Sequence, residues 1–525
     1  MSKKFDDYKT FTSLHGLIVA ADYHPDPDFP EFAGNPLIET LPPMYASEDE
    51  IEDMLQILAP YNPKDRELPP LKRIMKLGNL RHFYQPLERA VALALNFDDM
   101  LRWGYQERNP KDPAYIRRIH KGFTDFDVDN YDPTGTTPVG IVLIGYGGGG
   151  KTVTLNRILL KRYPQVYVHS NYQGKNFSPN HIVWIKLDCP EGGTRKDLII
   201  SLCLAIDALC GTNYFETIAD RGAANIFAMM PQIANVLVNH FVGCLVIDEF
   251  QNFYGSTEGA LTIKFLRRIN NVLGIPLVFV GTPDASAVLA GQFSLTRRAS
   301  AYGNAEWRQL KRGKLPDAPG DWDVFFAAAS SYDYNTGTMT EDVSPVLHKT
   351  TGGIPDLGIK VLIAARKRAI RGNMGTGKVE DVDGKLIKRV VQEEFPWIKE
   401  AVDALNLGTP EALRRFHDLY FRNTREHGPK QQPETPNAVS QPPANKSVAE
   451  QPNSAESNPQ AKPDLKRKQG RPSSTKTRAQ MPTNHPALPR ALTDIVNEGK
   501  KQQPPLSAYQ SLLDAGYIVN PSDYF

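Results

Sequence analysis

Between Pro138 and Pro283 short apolar runs alternate with amphipathic stretches of helical period. The apolar runs are Ile141–Ile144, Ile182–Leu187, a run around Leu245, and Leu277–Val280. Between them, apolar positions recurring every three to four residues predict helices over Thr154–Leu160, Lys196–Leu209, Ile226–Val238 and Leu261–Val272. Strands that are apolar throughout are buried on both faces, and strands separated by helices build a doubly wound parallel sheet. Outside this block the pattern changes. Met1 to about Asp132 mixes Pro-rich extended segments (NPLIETLPP, residues 35–43; LPPL, residues 68–71) with a predicted helix over Gln85–Asn96. It also carries Trp103, Tyr105 and a basic group, Arg117, Arg118, His120 and Lys121. Such a segment is either an arm that drapes over a partner or an N-terminal domain packed on the core. From about Ala285 to Arg425 the pattern is helical, with an ill-defined patch at Lys311–Asp323, and reads as a helical lid. Residues 428 to about 487 are rich in Pro, Gln, Asn, Ser, Ala and Lys, and hold too few large apolar side chains to offset chain entropy, so a disordered linker is expected. Beyond it Ala491–Val496 and Leu506–Phe525 are again apolar enough to dock.

The first apolar run flows into a loop that carries chemistry. Residues 141–152 read IVLIGYGGGGKT, a strand followed by a phosphate-binding P-loop. Gly145, Tyr146, Gly147, Gly148, Gly149, Gly150, Lys151, Thr152 and Val153 form the expected nucleotide cradle. Its glycines let the backbone fold tightly with N–H groups turned inward. Lys151 can reach the β- and γ-phosphates, Thr152 can ligate Mg²⁺, and the helix that begins near Val153 turns its positive end toward the phosphates. About a hundred residues on, CLVIDE (residues 244–249) is a buried-strand run ending in two carboxylates. Asp248 would hold Mg²⁺ through its water shell, and Glu249 would orient and deprotonate the attacking water. Leu277–Val280 is followed by Gly281 and Thr282, which places Thr282 as a sensor of the γ-phosphate or the lytic water. Ligands of parallel α/β sheets collect at the carboxyl ends of the strands, so the three motifs converge on one site for hydrolysis of a nucleoside triphosphate, with ATP and Mg²⁺ as the cofactors.

Composition narrows the class. A chain of 525 residues holds several cores, and its formal charge of +2 marks no global nucleic-acid binder, so local charge must carry that argument. The four cysteines, Cys189, Cys203, Cys210 and Cys244, form no CxxC pair and read as reduced core residues. No signal peptide opens the chain and no apolar stretch reaches the roughly 18 residues of a membrane span, so a soluble cytoplasmic protein without membrane contact is expected. Within the linker, residues 462–478 (KPDLKRKQGRPSSTKTR) carry seven positive charges and one negative. Gly470, Arg471 and Pro472 there are either an AT-hook core for a narrow minor groove or part of a solvated, extended tether. The tail concentrates Leu506, Tyr509, Leu512, Leu513, Tyr517, Ile518, Val519, Tyr524 and Phe525, which either fold back on the core or bind another protein.

The succession NPLIETLPP, YQPL (residues 84–87), GYQERNP (residues 104–110), the P-loop, KLDC (residues 186–189), LVIDEFQ (residues 245–251), VGTP (residues 280–283) and RRA (residues 297–299) resembles TnsC, the AAA+ ATPase regulator of multi-component DNA transposons, and its relatives IstB and TniB. The P-loop and the acidic pair are shared by many ATPases; the flanking NPLIETLPP, YQPL and GYQERNP are the more specific part. The resemblance implies an α/β fold, an AAA+ P-loop NTPase with a parallel sheet core and helical lid, plus an extended N-terminal region and a disordered tail. It divides the chain into 1–132, a core at 133–290, a lid at 291–427, a basic linker at 428–487 and a docking tail at 488–525. It further implies an ATP-switched homo-oligomer, a ring or filament on double-stranded DNA, that links a target-selector protein to transposase subunits held by the tail. A signalling ATPase that works on protein assemblies without DNA, or an origin-type DNA loader, is the alternative.

Three residue assignments come with the resemblance. Arg297 or Arg298 would reach into a neighbouring subunit's site as an arginine finger. Thr194, Arg195 and Lys196, an N-cap followed by cations at a helix start, would grip a DNA phosphate, or else form a solvated helix start. AAA+ lids offer an arginine from a Gly-x-x-Arg sequence, but here GGIPDLGIK (residues 352–360) places Asp356 at that position, with Lys360 one turn on as a weak substitute.

Overall fold

A computed structural model describes residues 12–117, 140–219, 225–253, 256–286, 302, 304–314, 318–413, 415, 416 and 419. All of these belong to the first of two compact units, Met1–Thr424 with Pro489–Phe525; the second spans Arg425–Leu488. The basic linker, the tail, Arg118, His120, Lys121, Arg297 and Arg298 lie outside the described residues.

The strands are β1 (Thr12–Ser13), β2 (Ile18–Ala20), β3 (Ile141–Gly145), β4 (Val166–Val168), β5 (Asn171–Tyr172), β6 (Lys175–Asn176), β7 (Asn180–Ile182), β8 (Trp184–Asp188), β9 (Cys244–Asp248), β10 (Leu277–Gly281) and β11 (Asn304–Trp307). Six of them form the main sheet in the order β1-β8-β9-β10-β3-β11. The last five run parallel, and β1 joins β8 antiparallel at the edge. Smaller sheets pair β2, β4 and β7, and β5 with β6.

Alternation along the strands builds two core layers. Ile141, Leu143, Val246, Val278 and Val280 face one way, and Val142, Ile144, Leu245, Ile247, Leu277 and Phe279 the other. The second face is covered by helices that the apolar period predicted: Arg195–Cys210, Ile226–Asn239 and Thr257–Arg268. The first of these has sharp ends, with a capping box between Thr194 and Asp197 and Gly211 at φ 65° as the C-cap. The other face is covered by the helix Lys151–Arg157 and by the N-terminal segment, which contributes Phe32, Leu37, Val91, Phe97, Leu101 and Tyr105. The described N-terminal residues therefore include a layer of the core, and their removal would expose part of one face of the sheet.

Two boundaries differ from the sequence expectation. The N-terminal helix runs over Glu88–Gln106 instead of Gln85–Asn96. Pro86 disfavours a helical Gln85, and the acidic pair after Asn96 does not end the helix, because Asp98 is buried against Arg102 at 2.7 Å and accepts from the Tyr163 hydroxyl at 2.6 Å. The fifth parallel strand, β11, lies within the stretch assigned to the lid from 291 onward and pairs with β3 from Asn304↔Val142 to Trp307↔Gly145. The sheet is completed only by residues well past position 290.

The lid is helical from Asp321–Ser330 through Val343–Thr351, Pro355–Asn373, Gly384–Glu394 and Pro396–Leu407. Its own core joins Trp322, Phe325, Leu347, Val361, Leu362 and Ile387. A separate cluster ties it to the N-terminal layer: Ile74, Leu77 and Leu80 pack with Tyr332, Tyr334, Ile363 and Ile370. Beside that cluster Arg73 makes a bidentate pair with Glu380, its Nη2 at 2.7 Å from Oε1, and both side chains are buried. Among the described residues no helix is long and apolar enough to cross a membrane. The four cysteines are free and buried, and burial pushes each thiol up to about 12.

Candidate functional site

The cradle begins where β3 can no longer carry a side chain. A Cβ on Gly145 would lie 2.3 Å from the Trp307 carbonyl oxygen, so the close approach of β11 requires glycine. Tyr146 N–H donates to that same carbonyl at 3.2 Å, and Gly149 N–H donates back to the Tyr146 carbonyl at 3.2 Å. Gly148 and Gly150 adopt φ values of 74° and 91°, which places the helix start at Lys151 under a left-handed turn. Nothing crowds Gly147. Lys151 is buried, and its ammonium donates to the Gly145 and Tyr146 carbonyls at 2.7 and 2.9 Å. Burial pulls it down to about 8, while Asp248 and then Glu249 act in the opposite sense.

Thr152, Val153, Asp248, Glu249, Gly281 and Thr282 meet the glycine loop around one cavity of about 190 Å³. The Thr152 hydroxyl donates to Asp248 Oδ2 at 3.1 Å. A hydroxyl and a carboxylate side by side are the hard oxygen donors Mg²⁺ prefers, with phosphate and water oxygens left to complete six positions, so these residues fit the ion. Glu249 sits at φ 54°, a conformation rare for a residue with a side chain, and its N–H donates to Asp248 Oδ1 at 2.9 Å. Glu249 is exposed and lines the cavity together with the glycine loop.

Sequence reasoning missed several residues that hold this arrangement. Gln251 is the most direct: its amide donates to Glu249 Oε2 at 2.5 Å and its carbonyl oxygen accepts from Thr282 N–H at 3.1 Å. One side chain thereby ties the ends of β9 and β10, and the DEFQ spacing is its only trace in the sequence. Lys186 of the KLDC run is buried with its ammonium 3.0 Å from Asp248 Oδ2 and 2.5 Å from Asp188 Oδ1. Asp188 and Asp248 are register partners on parallel strands, so the cation lies between two carboxylates that would otherwise repel. Arg89 donates to the Gly149 and Arg308 carbonyls at 3.0 and 2.9 Å and stacks over Trp307 at 4.4 Å. Tyr84 hydrogen-bonds Thr154 on the P-loop helix. These last two come from the YQPL segment and its continuation, and with Ile57, Leu87 and Trp307 they line a mostly apolar cavity of about 630 Å³ that opens on Gly148–Gly150. An apolar cavity beside a phosphate cradle has the chemistry to take a nucleobase.

The lid reaches the same loop. Asp356 N–H donates to the Gly148 carbonyl at 3.3 Å, and the Lys360 ammonium pairs with the Asp356 carboxylate at 2.5 Å. The residue where an arginine was expected is thus a carboxylate docked on the glycine loop. Lys360 is engaged with it.

Thr194 spends its hydroxyl on Asp197 in the capping box, at 2.7 Å, and Arg195 pairs with Glu258 at 3.7 Å. Lys196 follows on the first turn of the same helix. None of the three lines the cavity of the P-loop.

A five-stranded parallel sheet with a glycine cradle at the end of β3 and paired acids at the end of β9 defines a P-loop nucleotide-binding domain of the AAA class. Residues 136–289 match the family model described as "AAA domain", so the chain carries an AAA-family ATPase domain, and that domain implies nucleotide binding. Among curated proteins none matches the chain. Solved structures similar to it include the Aeropyrum pernix ORC1 protein in complex with DNA, at 16% identity and TM-score 0.32, covering 54% of this chain and 65% of that one. The ADP form of the Aeropyrum pernix ORC2 protein is similar at 13% identity and TM-score 0.30, covering 55% and 68%. The closed state of Hsp104 with ATPγS and FITC casein is similar at 12% identity and TM-score 0.25, covering 62% and 53%. The chain thus spans about two thirds of the length of the ORC1 protein.

Proposed function

We propose that the protein is an ATP-driven switch that assembles on duplex DNA and regulates transposition. The observation that carries the ATPase part is the meeting of Lys151, Thr152, Asp248, Glu249 and Thr282 around one cavity. The loop N–H groups and Lys151 bind the β- and γ-phosphates, and Thr152 with Asp248 would hold Mg²⁺, whose charge would offset that of the phosphates. Glu249 accepts a proton from the attacking water as its oxygen bonds to the γ-phosphorus and the bond to the β-γ bridging oxygen breaks. Gln251 positions Glu249, and Thr282 senses the result at the end of β10.

The transposition part rests on the TnsC-like motifs, and their placement supports reading them as one architecture. Asn35 of NPLIETLPP donates to the Tyr105 carbonyl at 2.9 Å, Tyr84 of YQPL binds the P-loop helix, and Arg108 of GYQERNP donates to the Gly243 carbonyl at 2.8 Å next to β9. The first contact ties the N-terminal layer to itself, and the other two fasten it to the ATPase core. In this reading ATP-bound copies form a ring or filament on DNA, Arg297 or Arg298 completes the neighbour's site, Thr194, Arg195 and Lys196 contact backbone phosphate, and the tail holds a transposase subunit while a target selector engages the other side.

The test is retention on non-specific duplex DNA with ATP, with a non-hydrolysable analogue and without nucleotide. Retention only with the two triphosphates, followed by capture of a transposase subunit that is lost when residues after Gln503 are removed, is the expected result. Retention independent of nucleotide would overturn it.

A further inference from the structure

The lid carries an open groove of about 870 Å³ on the outer side of the helix Pro355–Asn373. Arg81, Lys360, Lys367, Arg368 and Arg371 line it, and Phe395 is in its apolar floor. Lys360, Lys367 and Arg371 stand seven and four residues apart, so they form one stripe along the helix, rising about 6 Å between the last two. The two acids of the groove, Glu393 and Glu394, both turn to Arg368, at 2.5 and 3.7 Å. Lys360 is held by Asp356. Arg81, Lys367 and Arg371 make no ion pair among the described residues. Three cations thus line one open, partly apolar groove in which no described residue pairs with them. Trp397, 94% exposed, stands two residues beyond Phe395 at the start of the next helix.

We infer that this groove is a second nucleic-acid contact, one that takes the phosphodiester backbone along Lys367 and Arg371, with Arg81 beside them. It rests on the proposed DNA-bound function and adds to it a surface outside the core loops. An extended polyanion fits better than a single phosphate, because the cations are spread along a helix and not focused on one point. Contact with backbone alone predicts binding without base preference, driven by counterion release.

The test uses the full chain and a fluorescent duplex, in the presence of a non-hydrolysable ATP analogue. Lys367→Gln with Arg371→Gln is the informative pair, since neither residue lines the nucleobase cavity. Losing two phosphate contacts should flatten the slope of log affinity against log salt by about 1.8, since each contact contributes about 0.9. The wild-type advantage should then shrink about tenfold between about 50 and about 200 mM salt, equally for unrelated sequences. ATP affinity and self-assembly without DNA should be unchanged. An unaltered salt slope would overturn the inference, as would loss of ATP affinity or of DNA-free self-assembly, the last of which would make the groove a seat for acidic side chains of a second copy. If the wild type itself fails to bind duplex, it is the proposed function that fails.

Discussion

The parallel sheet and the junction between the N-terminal layer and the lid are both buried, but they differ in how much of that burial is charged. Around the sheet most of the burial is apolar, with Val278, Phe279, Leu245 and Phe97 excluding water. At the junction a charged pair is enclosed: Arg73 with Glu380, whose Oε1 also accepts from Asn373 at 3.0 Å and whose Oε2 accepts from Thr336 N–H at 2.9 Å. Arg366, also buried, donates to the Ser330 carbonyl at 3.0 Å close by. Apolar burial is insensitive to pH and tolerant of volume-conserving change, whereas an enclosed ion pair fails when either partner is lost. The nucleotide cavity belongs to the first region and the lid that closes over it is anchored by the second, so chemistry and lid attachment should be separable.

The largest expected effect lies in chemistry. Glu249→Gln should lower ATP turnover by about 10²- to 10⁴-fold, leave ATP binding in place and leave thermal stability as it was. Steady-state hydrolysis with a binding titration checks this, and wild-type turnover would refute the assignment of Glu249. Next in size are two substitutions that set the regions against each other. Phe97→Ala should cost about 3–5 kcal/mol at any pH, from the cavity it leaves in the sheet layer. Arg73→Met should cost about 3–5 kcal/mol near neutrality because Glu380 is left charged and unpaired. Urea titrations at several pH values distinguish them: the Arg73→Met loss should fade in acid and the Phe97→Ala loss should not.

Acid should act on the wild type in the same place. Hydrogen bonds from Arg73, Asn373 and the Thr336 N–H hold the Glu380 carboxyl down at about 2, against an ordinary 4.5, although burial works the other way. A depressed carboxyl contributes stability that is fully present above the unfolded value and is lost as pH falls through the folded one. The junction should therefore weaken between about 4.5 and about 2, by roughly 3 kcal/mol in all. Hydrogen exchange of lid amides over that range, with no matching change in the sheet, is the observation to seek. The smallest effect should come from Gln251→Ala, which frees Glu249 from one hydrogen bond of about 1 kcal/mol and should lower kcat several-fold with KM for ATP little changed. An unchanged kcat would leave Gln251 with a purely structural role between β9 and β10.

The same contrast explains what could be read from the chain. Glycines, a lysine and strand-end acids are required locally by phosphate chemistry, so the P-loop, Asp248, Glu249 and Thr282 stand out in sequence and meet in space. Lys186, Arg89 and Gln251 reach the site through tertiary contacts, and no local pattern marks a lysine inside a strand as the neighbour of Asp248. β11 was hidden because only Trp307 of its four residues is strongly apolar and its strand partner, β3, lies more than a hundred and fifty residues earlier. The helix Glu88–Gln106 ran past its expected end because Asp98 finds a buried partner that periodicity cannot show. The docking of Asp356 on Gly148 was likewise invisible, although the missing lid arginine pointed to that position.

On the proposed function, filling this cavity with ATP is what places the protein on DNA. It is tested most directly by measuring, in one experiment with ATP, how long wild type, Glu249→Gln and Lys151→Ala remain on a non-specific duplex. Transient retention of the wild type, long-lived retention of Glu249→Gln and none of Lys151→Ala is the expected result. Equal retention of all three proteins would contradict it.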